Sequence, residues 1–265
     1  MHSVKKYVSI LFLFARNSLA GQLEFRANFL CGILVETGYM FTKLAYVVLI
    51  YSTGLEVEGL SSDNMLVFIG TYAIMTGIYM SFYPNFVSIG KHVKSGSLDY
   101  LVVKPLSTLF IVTSRFIDFA MPIPNIIAGV VMVFVGCSRG HIVVTMDKVI
   151  VYILCLIMGT VITYTLFLLP RLLGFWTISH GGVSQIADSL WDFNNMPMKI
   201  YHRTIQEIGS FIIPVFLITN MPGGVLLGES KVWMIIWMAV VAAILVVLVK
   251  ITWTRALKRY SSASS

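Results

Sequence analysis

Between Val232 and Val249 the chain runs eighteen residues without a single charge. A stretch of that length and character suits a helix crossing the hydrocarbon core of a bilayer, which takes about 20 mostly apolar residues. Comparable runs cover about Phe29–Tyr51, Met65–Ile89, Leu106–Cys137 (interrupted by Pro122 and Pro124) and Val149–Leu169, the last continuing toward Trp176. A shorter run, Ile208–Met221, carries Pro214. The pattern predicts an all-α polytopic membrane protein with six transmembrane helices. Because the runs are continuous rather than alternating, an outer-membrane barrel is excluded. With 57% hydrophobic and 12% charged residues, against about 25% charged in soluble domains, a water-soluble enzyme is excluded too. So is a disordered chain, which would be poor in apolar residues.

The few charges are unevenly placed. Lys5, Lys6, Arg16 and Arg26 precede the first run; Glu56, Glu58 and Asp63 follow it; Lys91, Lys94 and Lys104 follow the second. Lys250, Arg255, Lys258 and Arg259 close the chain with no acidic residue among them. With both termini cytoplasmic, 15 of the 19 Lys and Arg fall on the cytoplasmic side; Arg139, Lys148 and Lys231 fall outside and Lys43 lies within the first span. Basic residues favour cytoplasmic loops, so the net charge of +7 is mainly a topology signal and calls for no nucleic acid. No cleavable signal peptide is expected, because the apolar residues 7–14 are followed by Arg16, Glu24 and Arg26 without a small-residue cleavage site. Instead Val8, Leu11, Phe12, Ala15 and Leu19, at helical spacing, predict an amphipathic helix over 4–22 on the inner membrane surface.

Three segments are neither span nor ordinary loop. In 90–105, Ser97 can cap a short helix with Asp99 in its first turn and Pro105 stopping it. That helix would present Leu98, Leu101 and Val102, an apolar stub that needs a partner or the lipid interface; the alternative is a plain surface turn. In 177–204, Val183, Ile186, Leu190 and Phe193 share one helical face and Asp188, Ser189 and Asp192 another. Lys199 and Arg203 argue for the cytoplasmic side; the competing assignment makes Leu172–Phe193 a span and puts those two charges outside. In 214–228, Pro214, Pro222, Gly223, Gly224 and Gly228 suit either a Pro/Gly-rich loop or a broken segment lining or gating a pathway, since non-helical backbone at membrane depth needs protein or water around it.

No catalytic, cofactor-binding or metal-ligating set is expected on this chain. There is no Gly-x-x-x-x-Gly-Lys-Ser/Thr phosphate loop and no His-Glu-x-x-His. The five histidines are never in ligand spacing, and Cys31, Cys137 and Cys155 are too few and scattered for disulfides or metal. Charges within spans are functional candidates by default. Glu36 and Lys43 lie seven apart, about 10 Å along one face of the first span, and Arg115 and Asp118 at i,i+3 could pair locally. Interhelical pairing outweighs a proton relay for all four. A stand-alone secondary carrier or intramembrane enzyme using Glu36, Lys43 or Asp118 is the rival reading.

Three stretches carry a resemblance: Gln22-Leu-Glu-Phe-Arg-Ala-Asn-Phe before the first span; Gly96-Ser-Leu-Asp-Tyr-Leu-Val-Val-Lys-Pro-Leu-Ser after the second; and Phe175-Trp176 through Phe193, Pro197 and Tyr201 to Ile213-Pro214-Val215, Pro222 and Leu227-Gly228. In their order and spacing the chain resembles the permease subunits of bacterial ABC-2-type exporters, in the small six-span subgroup encoded separately from its ATPase. The resemblance implies a multi-pass protein of the bacterial inner membrane that forms half of a translocation pathway and pairs with a second permease, identical or related. ATP and Mg would be bound by a partner ATP-binding cassette ATPase and none by this chain. Residues 4–22 would be a connecting helix. Residues 96–105 would be a coupling helix, with Ser97, Leu98, Asp99, Tyr100, Leu101, Lys104 and Pro105 meeting the ATPase. Residues 177–195 would be a second cytoplasmic contact and 214–228 an external re-entrant turn. Glu36, Lys43, Pro214, Pro222, Gly223 and Gly224 are the pathway or gate candidates. Asn194-Asn195-Met196-Pro197 and Lys199 depart from the family's more aromatic, apolar pattern.

Overall fold

The computed structural model describes residues 2–53, 61–176 and 181–260; within them the chain is helical, with no strand. Glu56, Glu58 and the first residues of the 177–204 segment lie outside the described residues, as do the side chains of Val183 and Ile186. The elements are α1 (His2–Glu24), α2 (Arg26–Thr53), α3 (Ser62–Lys94), α4 (Asp99–Val102), α5 (Thr108–Ser114), α6 (Pro122–Arg139), α7 (Met146–Leu172), α8 (Gly181–Asp192), α9 (Arg203–Glu207) continuing into a π-turn Ile208–Ile212, α10 (Leu217–Leu227) and α11 (Val232–Arg259). Four of these, α3, α6, α7 and α11, are long and apolar enough to cross a bilayer. The first expected span is α2, which carries Glu36 and Lys43 and is not among those four.

Helix α3 is the hub. Ser61 caps it, accepting from the Asn64 N–H, Asp63 sits in its first turn and Lys91 and Lys94 in its last, each charge favourable to the helix dipole there. The chain leaves α3 through Gly96 at φ 69°, a left-handed conformation that costs a side-chain-bearing residue more. Against α3 packs α6, antiparallel and at backbone contact. A Cβ on Gly70 would lie 2.7 Å from the Gly129 carbonyl oxygen, and one on Gly129 would lie 2.6 Å from the Gly70 oxygen. Gly77 meets Ile126 and Gly136 meets Val67 in the same way. Each helix thus presents two glycines, two turns apart, on one face. In lipid, where water drives no helix association, such close packing supplies the attraction.

Pro122 and Pro124 do not interrupt a single long helix. Pro122 starts α6, where its missing N–H is no loss, and the expected span Leu106–Cys137 is therefore α5, a non-helical stretch 115–121, and α6. Non-helical backbone needs partners, and α1 and α3 provide them. The Asn85 amide donates to the Phe116 carbonyl (2.6 Å) and accepts from the Phe116 N–H (3.0 Å). Ser18 Oγ accepts from the Ile117 N–H, the Ser81 carbonyl from the Asp118 N–H, Gln22 Oε1 from the Phe119 N–H and Asp118 Oδ1 from the Ala120 N–H. Gln22 Nε2 donates to the Ile117 carbonyl at 2.7 Å. Every N–H from 116 to 120 is satisfied this way. Helix α1 is accordingly more than a surface anchor: Tyr7 and Phe14 pack on Phe110 and Ser18 and Gln22 hold the break. Val4, Val8 and Phe12, one stripe at i,i+4 spacing, stay exposed.

The bundle has two ends. At one, Arg139 meets Asp63 (3.7 Å), Lys148 donates to the Leu226 carbonyl and Lys199 pairs with Glu229 (2.7 Å). At the other lie Lys94, the α4 turn, Lys6 (whose Nζ donates to the Pro105 carbonyl), and Phe175 packed on Trp253 and Tyr260. Burial, with the Asp99 carboxylate beside it, pushes the Tyr260 phenol pKa up.

This geometry bears on two expectations. The described residues of the 177–204 segment do not stay at one end. From the last turn of α7, where Arg171 pairs with Asp188, the chain climbs α3 in reverse: Asp188 reaches Tyr83 and Tyr79, and Trp191 stacks on Tyr79 (4.5 Å) and lies 6.2 Å from Tyr72. Asn194 then accepts from Thr219, the Met198 N–H reaches Asn220, and Lys199 arrives at Glu229. From Gly181 onward the chain thus runs along α3, although α8 is not among the helices long and apolar enough to cross a bilayer. Nor is Ile208–Met221 one straight crossing. Arg203–Ile212 and Leu217–Leu227 meet at 106°, and the Lys199–Glu229 pair puts both of their outer flanks at one end, so the pair enters and returns. Pro214 supplies the break: it has no N–H for the helix and holds Ile213 out of it, at φ −116°, ψ 84°.

Candidate functional site

The coupling candidates divide into two faces. Leu98 and Leu101 are buried, 1% and 3% exposed, and belong to the core. Tyr100 (76%), Val102 and Val103 (81%) are exposed, with Lys104 and Pro105 beside them. Helix α4 has only four residues, so its register is set by the two leucines locking inward, which turns the tyrosine and valines out. Ser97 does not cap it. Its hydroxyl is held by His92 Nδ1 and Ser95 Oγ, both at 2.8 Å, and the cap position falls to Leu98 without a side-chain bond. Asp99 is in the first turn, as expected, half-buried near Tyr260.

Glu36 and Lys43 do not pair with each other. Glu36, 5% exposed, accepts from Asn125 Nδ2 at 2.7 Å, and Lys43 Nζ lies 4.6 Å from the centre of the Tyr72 ring. At two helical turns apart, each finds a nearer partner across the interface. Arg115 and Asp118 do not pair either, because the chain between them is not helical; Arg115 is exposed and Asp118 turns back to the Ala120 N–H.

A polar cluster inside the bundle joins residues that no local spacing connects. Arg171, 5% exposed, donates to the Phe167 carbonyl and to Asp188, while Tyr79 and Tyr83 hydroxyls donate to the same carboxylate. The guanidinium also lies 5.4 Å from the centre of the Tyr83 ring. An intramembrane arginine is costly unless so compensated. The one available signal was Arg171 itself, a charge abutting a long apolar run; nothing local linked it to Asp188.

Of the re-entrant candidates, Pro222 is buried within α10 and Pro214 forms the break. Gly223 and Gly224 line a cavity of about 460 Å³, together with Lys199, Arg203, Glu207 and Trp233. It opens at the Asp63 end, far along α3 from α4. The structure therefore separates the candidates into an apolar docking patch at one end, a polar cluster at mid-depth and a charged vestibule at the other end, with Glu36 and Lys43 on α2 beside the middle one.

A family model described as ABC-2 family transporter protein matches residues 37–264. No curated protein and no solved structure matches the chain. The match takes in everything from the middle of α2 onward, including the α4 turn, the Arg171–Asp188 cluster and the re-entrant pair, and with its all-helical, membrane-spanning architecture the chain belongs to the ABC-2 family of transporter proteins.

Proposed function

We propose that the chain is the permease subunit of an ATP-driven exporter, forming half of a translocation pathway and coupled to a separate ATP-binding cassette ATPase that binds ATP and Mg. The observation that carries this reading is the outward-turned Tyr100, Val102 and Val103 at the end richest in Lys and Arg, within the family's transporter domain. Exposed apolar side chains beyond the membrane mark an interaction surface. The two core leucines tie that surface to the bundle core and α4 packs on α5, so a push on α4 is transmitted into the bundle. ATP binding would then bias a two-state bundle through contacts that differ between the states.

In this reading both termini and α4 are cytoplasmic in a bacterial inner membrane, and the re-entrant pair and its vestibule face outward. The fifth crossing is made by the arm that carries α8, residues 181–200. Twelve of the 19 Lys and Arg then remain cytoplasmic once Lys199 and Arg203 move outside and Arg171 lies within the membrane, and the topology bias persists. A second permease completes the pathway; export as the direction follows from the resemblance to exporter permeases.

The test is co-purification of the full-length chain with its ATPase from native membranes. Tyr100→Glu with Val103→Glu should abolish the complex while leaving the chain folded, since both side chains are exposed. An undiminished complex would place the ATPase elsewhere and overturn the docking assignment.

A further inference from the structure

At mid-depth on the bundle surface lies an open groove of about 240 Å³, and its lining has an unusual composition. Three aromatic rings (Tyr79, Tyr83, Trp191) and two thioethers (Met80, Met121) surround two carboxylates, Asp118 and Asp188. The groove-facing charges are both negative. Arg171, the cation that pairs with Asp188, is buried and committed to that carboxylate and the Phe167 carbonyl. It offsets one carboxylate. Among the described residues Asp118 has no cationic partner; its carboxylate accepts one backbone N–H and is half-buried. One layer deeper, Asn125 touches Met80 and Met121, and its own Oδ1, fully buried, lacks a partner among the described residues.

Aromatic faces and carboxylates select the same ligand. Ring quadrupoles attract cations, most strongly where water is thinned, thioethers adapt to irregular apolar shapes, and an uncompensated carboxylate at membrane depth is costly without a counter-ion. We infer that this groove binds an organic cation with an apolar body, a lipophilic ammonium, phosphonium or guanidinium, whose charge sits between Asp118 and Asp188 against Tyr83 and Trp191. The inference rests on the permease reading only for its meaning, as the class of molecule transported; the binding itself needs no ATPase. The same chemistry is offered by the amine headgroup of a lipid.

The test uses tetraphenylphosphonium and its size-matched anion tetraphenylborate on the full-length chain in lipid nanodiscs. Phosphonium should bind saturably and borate should neither bind saturably nor compete. Asp118→Asn should weaken phosphonium binding by about fivefold to tenfold, and Trp191→Leu by several-fold. Asp188→Asn strands Arg171 and risks misfolding, so Asp118→Asn carries the test, with thermal unfolding confirming that it folds. Weaker phosphonium binding in phosphatidylethanolamine than in phosphatidylglycerol nanodiscs would identify the lipid amine as a natural occupant; equal binding would point to a free cation. Unsaturable binding, equal affinity for borate, or indifference to both substitutions would overturn the inference. If phosphonium binds as expected but no ATPase co-purifies, the site stands and the permease reading falls; the reverse outcome removes the substrate class alone.

Discussion

Asn85→Ala is the sharpest probe of how this bundle tolerates a broken span. Asn85 is 4% exposed and its amide makes two bonds to the Phe116 backbone, at 2.6 and 3.0 Å. Alanine leaves one N–H and one C=O orphaned at membrane depth. An unsatisfied buried polar group costs about 1–3 kcal/mol, whereas side-chain bonds between membrane helices average only about 0.6 kcal/mol because alternative partners are found. Here the orphans are backbone groups fixed by their neighbours, with Ser18, Ser81 and Gln22 already committed to residues 117–119, so the higher figure governs. The expected loss is about 2–4 kcal/mol. Ser88→Ala is the control: its hydroxyl donates to the Asn85 carbonyl, within its own helix, and its removal orphans nothing buried. Unfolding by SDS in mixed micelles, followed by tryptophan fluorescence, measures both. If Asn85→Ala unfolds within about 0.5 kcal/mol of Ser88→Ala, the amide bracing of residues 116–120 does not hold the break and this reasoning fails.

Other consequences follow from the same contacts. Gly129→Val should cost at least about 2–3 kcal/mol or prevent folding, because even a Cβ would sit 2.6 Å from the Gly70 oxygen; a variant that purifies with unchanged melting behaviour would deny the α3–α6 contact. Gly182→Ala, where a Cβ meets nothing within 4 Å, should be close to neutral in the same assay. Glu36→Gln keeps an acceptor for Asn125 and should leave ATP-driven function intact, whereas a carrier that moves protons through Glu36 would be abolished. Lys199→Ala should change stability by less than about 1 kcal/mol, since both members of its ion pair are partly exposed. A cysteine placed at Arg203 should react with an impermeant maleimide added outside intact cells and one at Val103 should not; labelling in the opposite sense would invert the topology.

Much of this bundle was legible from the chain itself. The apolar runs located α3, α7 and α11, because an apolar run of that length has no other stable place. What stayed hidden was every contact made at long sequence range. Pro122 reads as an interruption until it is seen at a helix start, and the stretch before it is tolerable only because Ser18 and Gln22, nearly a hundred residues away, and Asn85 satisfy it. The climb of the α8 arm depends on Arg171 finding Asp188 and Lys199 finding Glu229. Locally those charges looked like a cytoplasmic surface, since a lysine beside an amphipathic segment carries no mark of which end it will reach. The register of α4 was equally opaque: Leu98, Tyr100, Leu101 and Val103 are all large side chains without a formal charge, and only packing into the bundle core decides which two are buried and which two are free to dock.

The most direct test of the central claim is nucleotide-dependent accessibility of the mid-depth groove in the assembled transporter. With the three native cysteines replaced and Met121, partly exposed in the groove, changed to cysteine, the rate of maleimide labelling is compared without nucleotide and with ATP and vanadate. A permease driven by its ATPase predicts a clear change in that rate, lost when Tyr100→Glu and Val103→Glu uncouple the subunits. Identical rates in both nucleotide states would contradict it.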